Sequence, residues 1–210
     1  TRKESSAASD VYKRQQFYNY MTIKNNAERI FENRLINSSI QYGFAENLTL
    51  SARYSNFIDN QQVKDSDPNH FDTENNEGDL NLNWNVDSKN NLLAGVTYLK
   101  SDFKSNDVKD KKQSIDSTGY YVQHQYKTDK LNTQLGVRTE DNELFGTHTI
   151  GQGAVRYHVL PETSIYANIG SAFKAPSLTE LYYFSEKSYG NTYGNPDLKP
   201  CLLYTSDAAD

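Results

Sequence analysis

The sequence predicts an all-β fold, namely an antiparallel transmembrane β-barrel fragment of about eight or nine strands from a larger barrel. Three observations predict it. Apolar and polar residues alternate within successive segments. The connections between these segments alternate between short and long. The alternating segments run for about 10–14 residues, which suits a tilted bilayer crossing better than the usual globular strand of about five or six.

The composition permits this fold and excludes two other classes. The chain has 210 residues, a formal net charge of −5 and 12% aromatic residues, with tyrosine the commonest aromatic at 16. An acidic balance argues against a nucleic-acid partner, which would need a basic stripe. No run of about 18 apolar residues occurs, so no transmembrane helix is predicted. The mean hydropathy of −0.83 fits a barrel strand, which shows only alternate residues to lipid.

The two ends of the chain differ from the rest. Residues 5–15 read SSAASDVYKRQ and residues 201–210 read CLLYTSDAAD. These peptides look like translations of one sequencing adapter, read forward at the start and as its reverse complement at the end. We therefore expect artefactual tails at 1–15 and 201–210, and a natural segment at 16–200. Cys201 falls in a tail, so no disulfide is expected.

One face of each expected strand is apolar and the other is polar. In one example Leu80, Leu82 and Trp84 alternate with Asn81 and Asn83. A soluble β-sandwich shows the same alternation, so the connections carry more weight. We expect strands near 30–44, 47–59, 76–86, 91–103, 117–127, 130–141, 148–159 and 163–174. Short connections are expected at 45–46, 88–90, 129 and 161–162, and long ones at about 60–75, 104–116, 142–147 and 175–200.

The polar faces are expected to line a lumen and the apolar faces to contact lipid. Large polar side chains favour a wide, water-filled or plugged lumen over the packed interior of an eight-stranded barrel. The residues assigned to the lumen are Arg53, Asn83, Gln123, Gln134, Arg138, Arg156 and Asn168. Those assigned to lipid are Leu50, Trp84, Leu135 and Ile169.

Two motifs near the end of the chain carry a family resemblance. Residues 173–182 read FKAPSLTELY and residues 194–200 read GNPDLKP. The pair resembles a signature of TonB-dependent receptors, in which a strand exits into an aromatic loop and a Gly-Asn-Pro turn enters the next strand. Pro176 cannot donate to a ladder and so ends the strand. The family usually has Glu after the last Pro, where this chain has Cys201.

Residues 138–149 read RTEDNELFGTHT and resemble the corresponding stretch of cobalamin (corrinoid) receptors. The resemblance implies an outer-membrane active-transport receptor for a corrinoid in a Gram-negative bacterium, energised through TonB. It implies no enzyme and no cofactor. The plug domain, which in the family carries the TonB box and much of the ligand contact, is expected to lie outside these residues.

Other functions stay open at this point. Within the family, the alternatives are a ferric siderophore receptor or a haem receptor. Haem receptors usually place a histidine between the two motifs, and none occurs from Pro176 to Asn195. A passive porin is the alternative of another class. A plug domain in the complete gene would separate a receptor from a porin.

The expected ligand-binding residues are tyrosines of the last connection together with an arginine near the cobalamin-like motif. Flexible loops rich in tyrosine offer large contact area at low entropic cost. The four histidines show no metal-ligand spacing, and no Ser/His/Asp arrangement can be placed. The acidic stretch 59–79 is expected to be a solvated loop rather than a calcium site. The candidate ligand-binding residues are Tyr182, Tyr183, Tyr189, Tyr193 and Arg138.

Overall fold

The computed structural model describes the backbone of residues 3–5, 9–18, 26–64, 68–108, 112–187 and 190–209. These residues form strands and one short helix: β1 (Lys3–Ser5), β2 (Ser9–Tyr18), β3 (Asn26–Ala45), β4 (Leu48–Lys64), β5 (Asn69–Asn85), β6 (Asn90–Ser105), β7 (Lys112–Lys127), β8 (Leu131–Asn142), β9 (Gly146–Leu160), β10 (Thr163–Lys174), α1 (Leu178–Tyr182), β11 (Phe184–Lys187), β12 (Gly190–Tyr193) and β13 (Cys201–Ala209). No helix among them is long and apolar enough to cross a membrane.

The strands form one meandering antiparallel sheet of eleven members. Their order is β1-β3-β4-β5-β6-β7-β8-β9-β10-β13, with β2 also paired to β3. β11 and β12 form a separate hairpin. The eight strands predicted from the sequence are confirmed as β3 to β10, in their predicted order. Across the described residues the sheet remains open, as expected for a piece of a larger barrel.

The register places the predicted faces correctly. Leu80 pairs with Val96, which pairs with Tyr120, and this apolar row lies on the outer face. Apolar side chains on this face are uncovered, with Leu135 58% and Ile169 67% exposed. In a barrel such a face meets lipid, whereas a soluble sheet would bury it against a second layer.

The opposite face carries the polar row. Asp79 pairs with Thr97 and Thr97 with Gly119, and Gly119 pairs with Glu140 on β8. Because successive side chains alternate, all residues that the sequence assigned to the lumen share this face. We therefore call it the lumen face.

The short connections occur as predicted, at 46–47, 86–89, 128–130 and 161–162. Three of the long connections were predicted too long, because half or more of their residues continue the strands. The strands end at 64, 105 and 142 and resume at 69, 112 and 146, and the long connection at 175–200 is retained. Polar side chains make this extension possible. Ser101 Oγ on β6 donates to Asn75 Oδ1 at 2.6 Å, and buried Asn56 donates to Glu74 Oε1 at 3.1 Å, so β5 continues through residues that were expected to lie in a connection.

The terminal segments form the edges of the sheet. β1 and β2 pair with β3, and β13 pairs with β10. A sheet edge presents unpaired backbone groups and accepts an extended chain of any origin. We predict that the complete gene replaces residues 5–15 and everything after Pro200 with unrelated residues, beginning with Glu after Pro200. Sequencing the genomic locus tests this, and an intact reading frame encoding CLLYTSDAAD would contradict it.

Candidate functional site

A belt of polar side chains crosses the lumen face from β4 to β8. Its centre is Asp79, whose carboxylate is buried. Asp79 accepts hydrogen bonds from Tyr121 Oη at 2.9 Å and Asn81 Nδ2 at 2.6 Å, and Arg53 Nη2 lies 4.0 Å from it. These bonds satisfy the buried charge. We name this set the polar belt: Arg53, Asp79, Thr97, Tyr121, Arg138 and Glu140.

Arg138 is held firmly within the polar belt. Its Nη2 donates to Thr97 Oγ1 at 2.7 Å and to Glu140 Oε2 at 3.2 Å. Its guanidinium lies 6.0 Å from the ring centroid of Tyr121, within range of a cation–π contact. Ser117 Oγ donates to the second oxygen of Glu140 at 2.6 Å. The positive charge of Arg138 is therefore matched locally by Glu140.

Two mid-strand glycines let these long side chains lie flat. A Cβ added at Gly95 would lie 2.5 Å from Tyr121 Oη, and one added at Gly119 would lie 2.5 Å from Arg138 Cζ. Glycine in a strand interior often marks such a close approach. Neither glycine was predicted from the sequence to be important, although a glycine on the polar face of a strand is a visible signal. The polar belt borders a concave space of about 500 Å³ on the lumen face.

The long connection begins with a capped helical turn. Ser177 Oγ accepts from the Glu180 N–H at 3.2 Å, and Glu180 Oε2 accepts from the Ser177 N–H at 2.8 Å, forming a capping box before α1. Hydrogen bonds from Ser177 lower the pKa of Glu180. The capping bond is therefore present at neutral pH and is lost as the pH falls through that lowered pKa.

α1 packs onto the lumen face of β5, β6 and β7. Its Leu178 is buried against Phe103 and Val108, and partly buried Phe71, Ile115 and Tyr182 flank this cluster. The rings of Phe71 and Phe103 stack with their centroids 6.4 Å apart. Phe71, Phe103 and Ile115 have the same strand parity as Asp79, Thr97 and Tyr121. The long connection therefore crosses from the end of β10 to the inner side of β5–β7.

A neighbouring loop holds the connection by backbone and side chain. Val108 and Tyr183 form an antiparallel bridge, and the Phe184 N–H donates to the Asp107 carbonyl at 2.6 Å. The Asp107 carboxylate accepts from Tyr183 Oη at 3.4 Å and from Asn69 Nδ2. We name residues 106–108 the latch loop and residues 175–198 the rim segment.

The β11–β12 hairpin presents an aromatic pair at the rim. Phe184 and Tyr193 lie opposite each other, with ring centroids 5.4 Å apart, and are 43% and 54% exposed. Tyr193 Oη donates to Glu186 Oε1 at 3.2 Å. Partial desolvation and this carboxylate raise the pKa of the Tyr193 phenol. At neutral pH the Tyr193 phenol is therefore protonated and uncharged.

The structure separates the predicted site residues into three groups. Tyr182 and Tyr183 are half-buried, Tyr182 against the cluster around Leu178 and Tyr183 beside the latch loop, whereas Tyr193 is exposed. Tyr189 lies outside the described residues. Arg138 lies in the polar belt and not with the tyrosines.

No group of three His, Cys, Asp or Glu side chains that could hold a metal occurs in the described part of the chain. Of the acidic stretch 59–79, Asp65 and Asp67 lie outside the described residues. Asp72, Glu74 and Glu77 lie on β5. A single solvated loop was expected here, whereas the described residues of the stretch are strand except for Pro68.

Comparison with known proteins identifies the family. The family model for the TonB dependent receptor-like β-barrel matches residues 2–208. The chain is 29% identical over 109 residues to the vitamin B12 transporter BtuB of Photobacterium profundum, covering 52% of this chain and 17% of that protein. It is 38% identical over 64 residues to BtuB of Vibrio cholerae serotype O1 (strain M66-2), covering 30% of this chain and 10% of that protein.

Solved structures share the fold. The siderophore receptor PirA from Pseudomonas aeruginosa has a TM-score of 0.59 at 15% identity, over 89% of this chain and 45% of that chain. PirA from Acinetobacter baumannii has a TM-score of 0.58 at 15% identity, over 87% and 32%. The chain thus spans less than half of these structures and less than a fifth of the matched transporters. It belongs to the TonB-dependent receptors, a family of outer-membrane transporters, and forms part of their β-barrel domain.

Proposed function

We propose that the parent receptor captures a corrinoid such as cobalamin and imports it across the outer membrane of a Gram-negative bacterium, energised through TonB acting on a plug domain. The observation that carries this proposal is the similarity to two vitamin B12 transporters, the first over about half of this chain. The similarity to PirA supports only the shared fold, because the identity is 15%.

The chemistry of the rim segment supports a ligand without strong negative charge. A corrinoid is large, amphipathic and uncharged over most of its periphery, so aromatic faces and amide groups suit it. A ferric siderophore is often anionic and would favour a cluster of Arg and Lys. From Pro176 to Asn195 the only basic residue is Lys187, offset by Glu180 and Glu186. The exposed Phe184–Tyr193 pair supplies the aromatic surface.

The lumen face supports the same ligand class. The two arginines of the polar belt each have a carboxylate partner, Asp79 for Arg53 and Glu140 for Arg138. Matched charges leave little net field for steering an anion inward. We propose that Tyr193 contacts the ligand directly, that the exposed parts of Tyr182 and Tyr183 complete the surface, and that Tyr189 also contributes. We propose that Arg138 contacts the ligand separately, from the polar belt.

Equilibrium titration of the purified full-length receptor tests the substrate. Cyanocobalamin and a panel of ferric siderophores are the probes, and we expect saturable binding of cyanocobalamin alone. Saturable siderophore binding without cyanocobalamin binding would overturn the substrate and leave the family membership standing.

A single substitution tests the contact. We expect Tyr193→Ala to weaken cyanocobalamin binding by about 1–3 kcal/mol, the range for an aromatic anchor. Tyr193→Phe keeps the ring and isolates the contribution of the hydroxyl. Tyr157→Ala is the matched control. Tyr157 is 49% exposed, but it lies on the outer face near the end of β9, beside the short connection at 161–162. Equal losses from Tyr193→Ala and Tyr157→Ala would refute a contact at Tyr193.

A further inference from the structure

We propose that the latch loop is the positioning element of the ligand site. It fixes the rim segment against the lumen face, so that Asp107 and Val108 set ligand affinity without touching the ligand. The inference rests on the proposed function for its ligand, and it deepens that proposal by adding residues from a different hairpin.

Three kinds of contact converge on the latch loop. The Val108–Tyr183 bridge and the Phe184 N–H to Asp107 carbonyl bond align the backbones. The side chain of Val108 is 4% exposed and packs with Leu178. The Asp107 carboxylate joins Tyr183 to Asn69 on β5. Backbone, apolar and charged contacts thus select one position of the rim segment.

The latch loop is linked to the Phe184–Tyr193 aromatic pair through its contacts with Tyr183. Tyr183 bonds to Asp107 and bridges Val108, and Phe184 is the next residue. The Gly194 N–H donates to the Tyr183 carbonyl at 2.6 Å, which fixes the far strand of the hairpin beside Tyr193. Any movement of Tyr183 is therefore passed to both aromatic rings.

These contacts matter for ligand binding because they order the rim segment before the ligand arrives. Each loop residue that becomes fixed during binding loses backbone conformational entropy, which weakens binding. A rim segment that is already fixed avoids that cost when the ligand arrives, so affinity rises without any new contact. Release of the latch loop should therefore lower affinity even though every ligand-contacting side chain is intact.

The first test removes the carboxylate in the full-length receptor. We expect Asp107→Ala to weaken cyanocobalamin binding about tenfold. Asp107→Asn, which retains an acceptor oxygen, should restore most of the affinity. Asp87→Ala is the matched control, because Asp87 accepts bonds from the Lys89 and Asn90 N–H groups of a turn on the opposite rim. Equal losses from Asp107→Ala and Asp87→Ala would overturn the proposal.

The second test restores the position covalently. Val108→Cys with Tyr183→Cys places two cysteines at directly opposed antiparallel positions, a spacing that a disulfide can bridge. Residues 16–200 contain no cysteine to compete. Because Tyr183 belongs to the proposed contact surface, the oxidised and reduced forms of this receptor are compared with each other in an Asp107→Ala background. We expect the oxidised form to bind cyanocobalamin about tenfold more tightly than the reduced form. Equal affinities of the two forms would show that the position of the rim segment does not set affinity and would overturn the proposal.

Amide hydrogen exchange of residues 177–184 in the same variants supplies a readout that needs no ligand. Asp107→Ala should speed exchange there and the disulfide should slow it again, whereas unchanged exchange overturns the latch. If cyanocobalamin does not bind the unaltered receptor, the proposed function fails while exchange still decides the latch.

Discussion

An arginine at Leu135 is expected to block assembly of the full-length receptor in the outer membrane, whereas an arginine at neighbouring Gln134 leaves assembly nearly intact. Leu135 lies on the outer face and is 58% exposed, so lipid surrounds it. A basic residue near the bilayer midplane costs about 2–4 kcal/mol on the lipid face of a barrel. Gln134 points to the lumen and donates to Gln123 Oε1 at 3.1 Å, where water or the plug can accept a charge.

The two variants carry the same new charge one residue apart, so each controls for the other. Folded barrels and unfolded chains are separated by electrophoresis of unheated outer-membrane fractions, and the folded fraction is measured for each variant. The folded fraction should fall sharply for Leu135→Arg only. Similar folded fractions for both variants would refute the register of β8.

A methyl group at Gly194 is expected to release the rim segment without disturbing the barrel. A Cβ there would lie 2.7 Å from the Leu181 carbonyl carbon and oxygen and 2.8 Å from the Tyr182 nitrogen. These are backbone atoms of α1, so the strain cannot be relieved by rotating a side chain. Overpacking of this kind costs about 1–3 kcal/mol, comparable to the contacts that hold the segment in place.

Gly78→Ala is the matched control, because a Cβ at Gly78 meets nothing within 4 Å. We expect Gly194→Ala to speed amide exchange in α1 and to weaken cyanocobalamin binding, while Gly78→Ala changes neither. Both variants should assemble normally, as judged by electrophoresis. Unchanged exchange in Gly194→Ala would show that the close approach of Gly194 to α1 does not hold the segment.

The sequence predicted the order and faces of the membrane strands because the bilayer enforces a simple alternation. Leu135 and Gln134 are neighbours that must face different solvents, and this contrast is visible in the residues themselves. The same rule failed beyond the bilayer. Asn75 looks like a loop residue, yet it lies on β5 and accepts a hydrogen bond from Ser101 on β6. No local pattern reveals such a pair.

The candidate site was predicted in part. The high proportion of aromatic residues in the last connection was visible in the sequence. Tyr182, Tyr183 and Tyr193 do lie together in the rim segment. The sequence did not show that Asp107 holds this segment, because Asp107 and Tyr183 are 76 residues apart. The roles of Gly95 and Gly119 were also missed, because each is defined by a side chain from the neighbouring strand. Contacts of this kind depend on register, which only the folded sheet supplies.

The continuation of the strands beyond the length of a bilayer crossing has a consequence for resistance to proteolysis. β4 to β7 contain 16 or 17 residues, and a crossing needs about 9–11. About six residues of each strand remain beyond the crossing, and at about 3.3 Å per residue they add roughly 20 Å to its length. Lys100 and Lys104 lie on this projection, with β5 and β7 paired on either side. A trypsin-like protease cuts a segment that is detached from its neighbours, so we expect these lysines to be poor targets although they lie beyond the part of the strands that a bilayer crossing needs.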